Sequence, residues 1–213
     1  MSRRAVVVAG AVLALAVGGF LSRDVFARRA AEAEAKRRDE LAYAAQWDLD
    51  HGAPQQALEK LKALEQLDPT RKGLTSSLGR ALVSTGASTE ALPVLERALQ
   101  RDGPTPETLE YQAVALAQLG RHVEARATIE KALMMDETRT SALRRLAQTH
   151  LTLGDVEPAI ATWELAAQVA PAAERPAIVD EARALLTAAG HPDAGLRVPP
   201  ERAPGPTNRP DGG

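Results

Sequence analysis

Residues 120–132 read GRHVEARATIEKA. Thirty-four residues earlier, 86–98 read GASTEALPVLERA, and a further thirty-four earlier, 52–64 read GAPQQALEKLKAL. Thirty-four residues later, 154–166 read GDVEPAIATWELA. Four columns stay in register: Gly52, Gly86, Gly120 and Gly154; Ala57, Ala91, Ala125 and Ala159; Leu61, Leu95, Ile129 and Trp163; Leu64, Ala98, Ala132 and Ala166. A fixed period of this length marks a repeat array. Alanine, a large residue four later and, in three copies, a small one three beyond form one face of a helix. A second stripe precedes each glycine: Leu41, Ala44, Ala45 and Asp48; Leu78, Gly79 and Leu82; Leu109, Ala113 and Leu116; Leu143, Leu146, Ala147 and His150. Each copy is therefore expected to be helix, glycine-ended turn, helix. Pro54, Thr105-Pro106-Glu107 and Asp155 read as helix starts, and Thr138 as the cap of the fourth copy.

Composition agrees. Of 213 residues, 45% are hydrophobic but only 3% aromatic, so alanine and leucine carry the apolar load and strand formers are scarce. That balance argues for an all-α protein. A formal net charge of -2 points to neither a nucleic acid nor an acidic substrate. The absence of cysteine excludes disulfides, thiolate zinc sites and cysteine nucleophiles.

The period, the glycine turn, the Ala-x3-large-x2-small second helix and the terminal prolines Pro69 and Pro171 resemble the tetratricopeptide repeat (TPR) family over about residues 38–171. The family's early Trp and first-helix Tyr are absent from every copy, Leu64 replaces a usual alanine, and Gly103 and Glu137 stand where proline is common. The resemblance implies a right-handed superhelix of about four repeats, at 38–71, 72–105, 106–139 and 140–173. Residues 174–190 follow as a capping helix, with Ile178, Ala182, Leu185, Leu186 and Ala189 on one face and Asp180, Glu181 and Arg183 elsewhere. From His191 to Gly213 the chain is rich in Pro and Gly and is expected to be disordered.

Residues 5–21, AVVVAGAVLALAVGGFL, carry no charge. As a helix they span roughly 25 Å, the short end of what crosses a bilayer. The leading expectation is a transmembrane signal anchor over 1–22, contacting lipid through 5–21, followed by a charged helical stalk over 23–37. A signal peptide cleaved after Val25-Phe26-Ala27 and a buried helix are the alternatives. The short basic N-terminal tail favours sending the repeats across; the flank with Arg23, Arg28, Arg29, Lys36, Arg37 and Arg38 pulls the other way. The expected location is a single pass of a bacterial inner membrane, with the repeats on the periplasmic side.

No phosphate loop, serine elbow or zinc-protease motif occurs, so no catalytic residue, cofactor or metal is assigned and the chain is not read as an enzyme. His51, near Asp48 and Asp50, reads as a polar helix end. The resemblance implies instead a groove walled by each copy's first helix. It places there Tyr43 and Gln46, then Arg80 and Ser84, then Glu110, Tyr111, Val114 and Gln118, and finally Arg144, Arg145 and Gln148. Columns that hold a carboxylate clamp in some relatives carry Ala42, Gln46, Ser77, Glu107 and Tyr111 here, so chaperone-tail recognition is not expected. This mixed surface suits a peptide or helix of a partner protein. Arg80 and Arg144 are expected to meet an acidic segment, with Tyr111 between them. The function expected is a membrane-tethered scaffold for assembling a membrane-associated complex; a secreted repeat protein or a regulatory subunit of an enzyme is the alternative.

Overall fold

The computed structural model describes the backbone of residues 3–197 and the side chains of residues 25–197. The described residues form helices and no strand: α1 (Arg3–Asp50), α2 (Pro54–Leu67), α3 (Leu74–Ser84), α4 (Ser88–Asp102), α5 (Pro106–Gln118), α6 (His122–Met135), α7 (Thr140–Leu153), α8 (Val156–Val169) and α9 (Arg175–Ala188). The chain divides into two compact units, the first ending at Leu74 and the second beginning at Thr75. In the first, α1 packs on α2. In the second, α5 pairs with α6 and α7 with α8, and successive pairs join through α4 with α5, α6 with α7 and α8 with α9.

One turn recurs at each glycine of the 34-residue column. Gly120 has φ 76°, and the next amide, Arg121 N–H, donates to Leu116 O at 2.9 Å. Gly154 has φ 86°, and Asp155 N–H donates to His150 O at 2.9 Å. The same six-residue closure joins Ala53 to Asp48, Ala87 to Leu82 and, after the capping helix, His191 to Leu186. This is the Schellman closure, which needs a left-handed residue and so selects glycine. It ends the first helix and returns the chain antiparallel. Thr105 caps α5 as expected, accepting from Thr108 N–H at 3.1 Å. Thr138 does not cap α7. Its N–H and hydroxyl both donate to Asp136 Oδ1, at 3.2 and 3.0 Å, so the aspartate organises the loop and Arg139 stands at the helix start.

The alanine column is fully buried, with Ala57, Ala91, Ala125 and Ala159 all at 0% exposure. At Gly79 the approach is closer still: a β-carbon there would overlap Cγ and Cδ2 of Leu95. Trp163 fills the large-residue column of the last copy and sits in a core with Leu143, Ile178, Val179, Ala182 and Leu186. The capping helix thus buries one face and leaves Asp180 and Arg183 in solvent. The tail expected to be disordered from His191 begins with an ordered stretch. Ala194 and Leu196 pack on this core, and Arg197 N–H donates to Glu164 Oε1 at 2.6 Å. Leu196 supplies the apolar contact that a reading of Pro and Gly content overlooks.

Helix α1 runs unbroken from Arg3 to Asp50, across the boundaries drawn between anchor, stalk and first repeat. The expected membrane segment, 5–21, lies outside the residues whose side chains are described. Among the described residues, no helix is long and apolar enough to cross a membrane.

Gly79→Ala tests the close approach. Glycine in a helix costs about 0.5–1 kcal/mol relative to alanine, whereas overpacking costs about 1–3 kcal/mol. Urea unfolding should show a net loss of roughly 1–2 kcal/mol, reversing to a small gain in a Leu95→Ala background. A gain from Gly79→Ala in the wild-type background would show that the overlap with Leu95 is relieved at no cost.

Candidate functional site

The first helices α5 and α7 lie side by side, and their polar residues reach one another across the repeat boundary. Glu110 on α5 is buried, and its carboxylate takes three donors, one from the loop before α7 and two from α7 itself: Arg139 Nε at 2.8 Å, Arg145 Nε at 2.9 Å and Ser141 Oγ at 2.9 Å. Burial pushes this carboxyl up, but the hydrogen bonds from Arg139, Arg145 and Ser141 outweigh it and hold the group below the usual carboxylate range. Arg139 also pairs with Glu107, at 2.7 Å. An equivalent pair occurs 68 residues earlier, where Arg71 meets Asp39 at 2.9 Å. Each pair ties a residue of one helix, Asp39 within α1 and Glu107 in the first turn of α5, to the loop just before α3 or α7.

A similar arrangement binds the capping helix. Glu181 of α9 accepts from Arg144 and, at 2.6 Å, from Gln148 Nε2. The expectation that Arg144 offers an open positive charge to an acidic partner is therefore corrected: Glu181 already holds it, because α9 brings a carboxylate to the wall of α7.

The remaining groove candidates fall into separate places. Tyr43 and Gln46 lie in the first unit, exposed, and Gln46 bonds both carboxylate oxygens of Asp50 at 3.0 Å. Near them Trp47 is half exposed and stacks on His51, with ring centroids 3.7 Å apart. In the second unit Ser84 is exposed at the end of α3, and Arg80 lies 5.7 Å from the ring centroid of Tyr111. Burial raises the Tyr111 phenol above its ordinary range, with Arg80 opposing.

Four candidates converge. Val114, Gln118, Arg145 and Gln148 line one cavity of about 280 Å³, floored by Ala113, Ala117 and Ile129. His122, Thr149 and Thr152 complete its wall. A smaller recess beside it is lined by Ser141, Arg144, Arg145, Gln148 and Glu181. The partners that sequence reasoning missed are Arg139, Ser141, Glu181 and Ser88, whose hydroxyl donates to Gln118 Oε1. For Arg139 and Glu181 the only signal was a spacing near one repeat period between a carboxylate and an arginine; Ser88 and Ser141 carried none.

The family described as Tetratricopeptide repeat matches residues 44–106 and again 76–142. Residues 44–142 therefore carry tetratricopeptide repeats. No curated protein matches the chain. Among solved structures, the thermophilic TPR protein TTC0263 of Thermus thermophilus is 22% identical, with 83% of this chain and 95% of that one covered and a TM-score of 0.63. MamA residues 41-end from Desulfovibrio magneticus RS-1 is 16% identical, with 73% and 86% covered and a TM-score of 0.58. Both share the fold.

Glu110→Gln should destabilise the protein by about 1–3 kcal/mol at pH 7, because it removes a charge that takes three donors in a buried position. The folded carboxyl lies below its ordinary value of 4.5, so its stabilisation is complete above that value and fades as pH falls through the folded one. Urea unfolding should therefore find the variant's deficit shrinking between pH 7 and pH 3. An unchanged deficit would assign the loss to packing rather than charge.

Proposed function

We propose, for a chain whose residues 44–142 carry tetratricopeptide repeats, that it is a protein-interaction scaffold that takes a segment of a partner polypeptide in the cavity between α5, α6 and α7. The observation that carries this reading is the convergence there of Val114, Gln118, Arg145 and Gln148 over an apolar floor. A small concave site with few, placed polar groups suits recognition of a polypeptide segment, and the catalytic motifs named above are lacking. Tethering through 5–21 belongs to the same proposal. It rests on the uncharged run and on the helix that joins that run to the first repeat. The chain would then hold its partner near a bacterial inner membrane, on the periplasmic side, as an assembly factor.

Two measurements test this. A photoreactive residue at exposed Gln118 should crosslink one defined partner in native membranes, while the same residue at exposed Glu130 on α6 should not. Adducts from Glu130 alone would move the binding surface to the second helices. The full chain should fractionate with membranes, and deletion of residues 1–22 should release it. A full chain found in the soluble fraction ends the tethering proposal, and a mature N-terminus at Arg28 replaces it with export.

A further inference from the structure

Two glutamines face the cavity, and each spends half of its amide inside the chain. Gln148 donates from Nε2 to Glu181 Oε1 at 2.6 Å. A carboxylate only accepts, so this bond dictates the amide's orientation and leaves Gln148 Oε1 as an acceptor. Gln118 accepts the Ser88 hydroxyl on Oε1, which leaves its NH2 as a donor. The two residues come from neighbouring repeats and line the same space. One therefore offers a donor and the other an acceptor, which is the complement of a single peptide group.

The charges around the cavity are already matched. Arg145 pairs with Glu110, and Arg144 with Glu181. A partner's carboxylate would compete with one already in place on each arginine, and Glu110 is held by three donors. The floor of Ala113, Ala117 and Ile129, with Val114 beside it, is apolar. A volume of about 280 Å³ lies at the low end for small-molecule sites, and suits a side chain better than a cofactor.

We infer, on the premise that this cavity is the binding face, that it reads an uncharged, extended segment of polypeptide: one peptide group lies between Gln118 and Gln148, and the adjacent aliphatic side chain fills the cavity. The partner's C=O accepts from Gln118 Nε2, and its N–H donates to Gln148 Oε1. Main-chain hydrogen bonds supply affinity, and the apolar floor selects the side chain.

The probe is the blocked pentapeptide acetyl-AALAA-amide, titrated into the full-length protein in detergent micelles. Saturable NMR shifts are expected at the side-chain amides of both Gln118 and Gln148. Methylating the leucine nitrogen of the probe removes the donor and should weaken binding about fivefold, the worth of one hydrogen bond. Replacing that leucine by alanine should weaken it by a similar factor, and acetyl-AAEAA-amide should bind no better than the alanine peptide. In Gln148→Met the methylated and unmethylated probes should bind alike, a readout that a merely destabilised groove would not produce. The proposal is overturned by equal binding of both probes to the wild type, by tighter binding of the glutamate peptide, or by no saturable shift up to about 20 mM. If Gln118 still crosslinks a partner while the pentapeptide fails, only the peptide-group reading falls; if both fail, the cavity is not the binding face.

Discussion

Helices in this protein can approach as closely as they do because one column of every copy is alanine. Ala57, Ala91, Ala125 and Ala159 are completely buried, and at Gly79 even a methyl group would overlap Leu95. A larger residue in these columns would push the backbones apart or force off-rotamer side chains. The spacing of the first helices follows from that contact. So does everything built on their exposed faces, since a carboxylate on one first helix reaches an arginine on the next only at a fixed separation.

Polar residues exploit that separation between repeats. Glu110 is buried yet takes Arg139, Arg145 and Ser141 as donors; a carboxylate without them would bear the full cost of desolvation. Glu181 does for the capping helix what Glu110 does between repeats three and four, through Arg144 and Gln148. The pairs Asp39–Arg71 and Glu107–Arg139 repeat the theme 68 residues apart. Most of the arginine charge near the cavity is thereby spent on holding the array together. Among the groups that line the cavity are the uncommitted halves of two amides, above an aliphatic floor.

Helix pairs, turns and the capping helix are legible in the sequence because their signals are local. Gly120 ends α5 and Pro106 starts it whatever lies nearby. Where structure and sequence reading part, the cause is a contact that local signals do not carry. Thr138 has the chemistry of a cap, but Asp136 takes its N–H into the loop. The tail has a disordered composition, yet Leu196 finds the core around Trp163. Arg144 looks like an open cation because its partner, Glu181, lies in a helix 37 residues away.

Periodicity along the chain is enough to specify which residues share a helix face, where the first helix of each copy ends and that no strand competes, because these follow from 3.6-residue geometry and from the left-handed turn only glycine enters freely. The resemblance to the tetratricopeptide repeat family, not periodicity, put Val114, Gln118, Arg145 and Gln148 on the first-helix wall as candidates. Which of them are spent and which are free is a different kind of fact. It depends on contacts between side chains about one repeat apart, such as Ser88 with Gln118 and Gln148 with Glu181. Hydrogen bonds act over about 3 Å, so only the folded spacing of neighbouring repeats determines who pairs with whom, and hence which donor and which acceptor face the cavity.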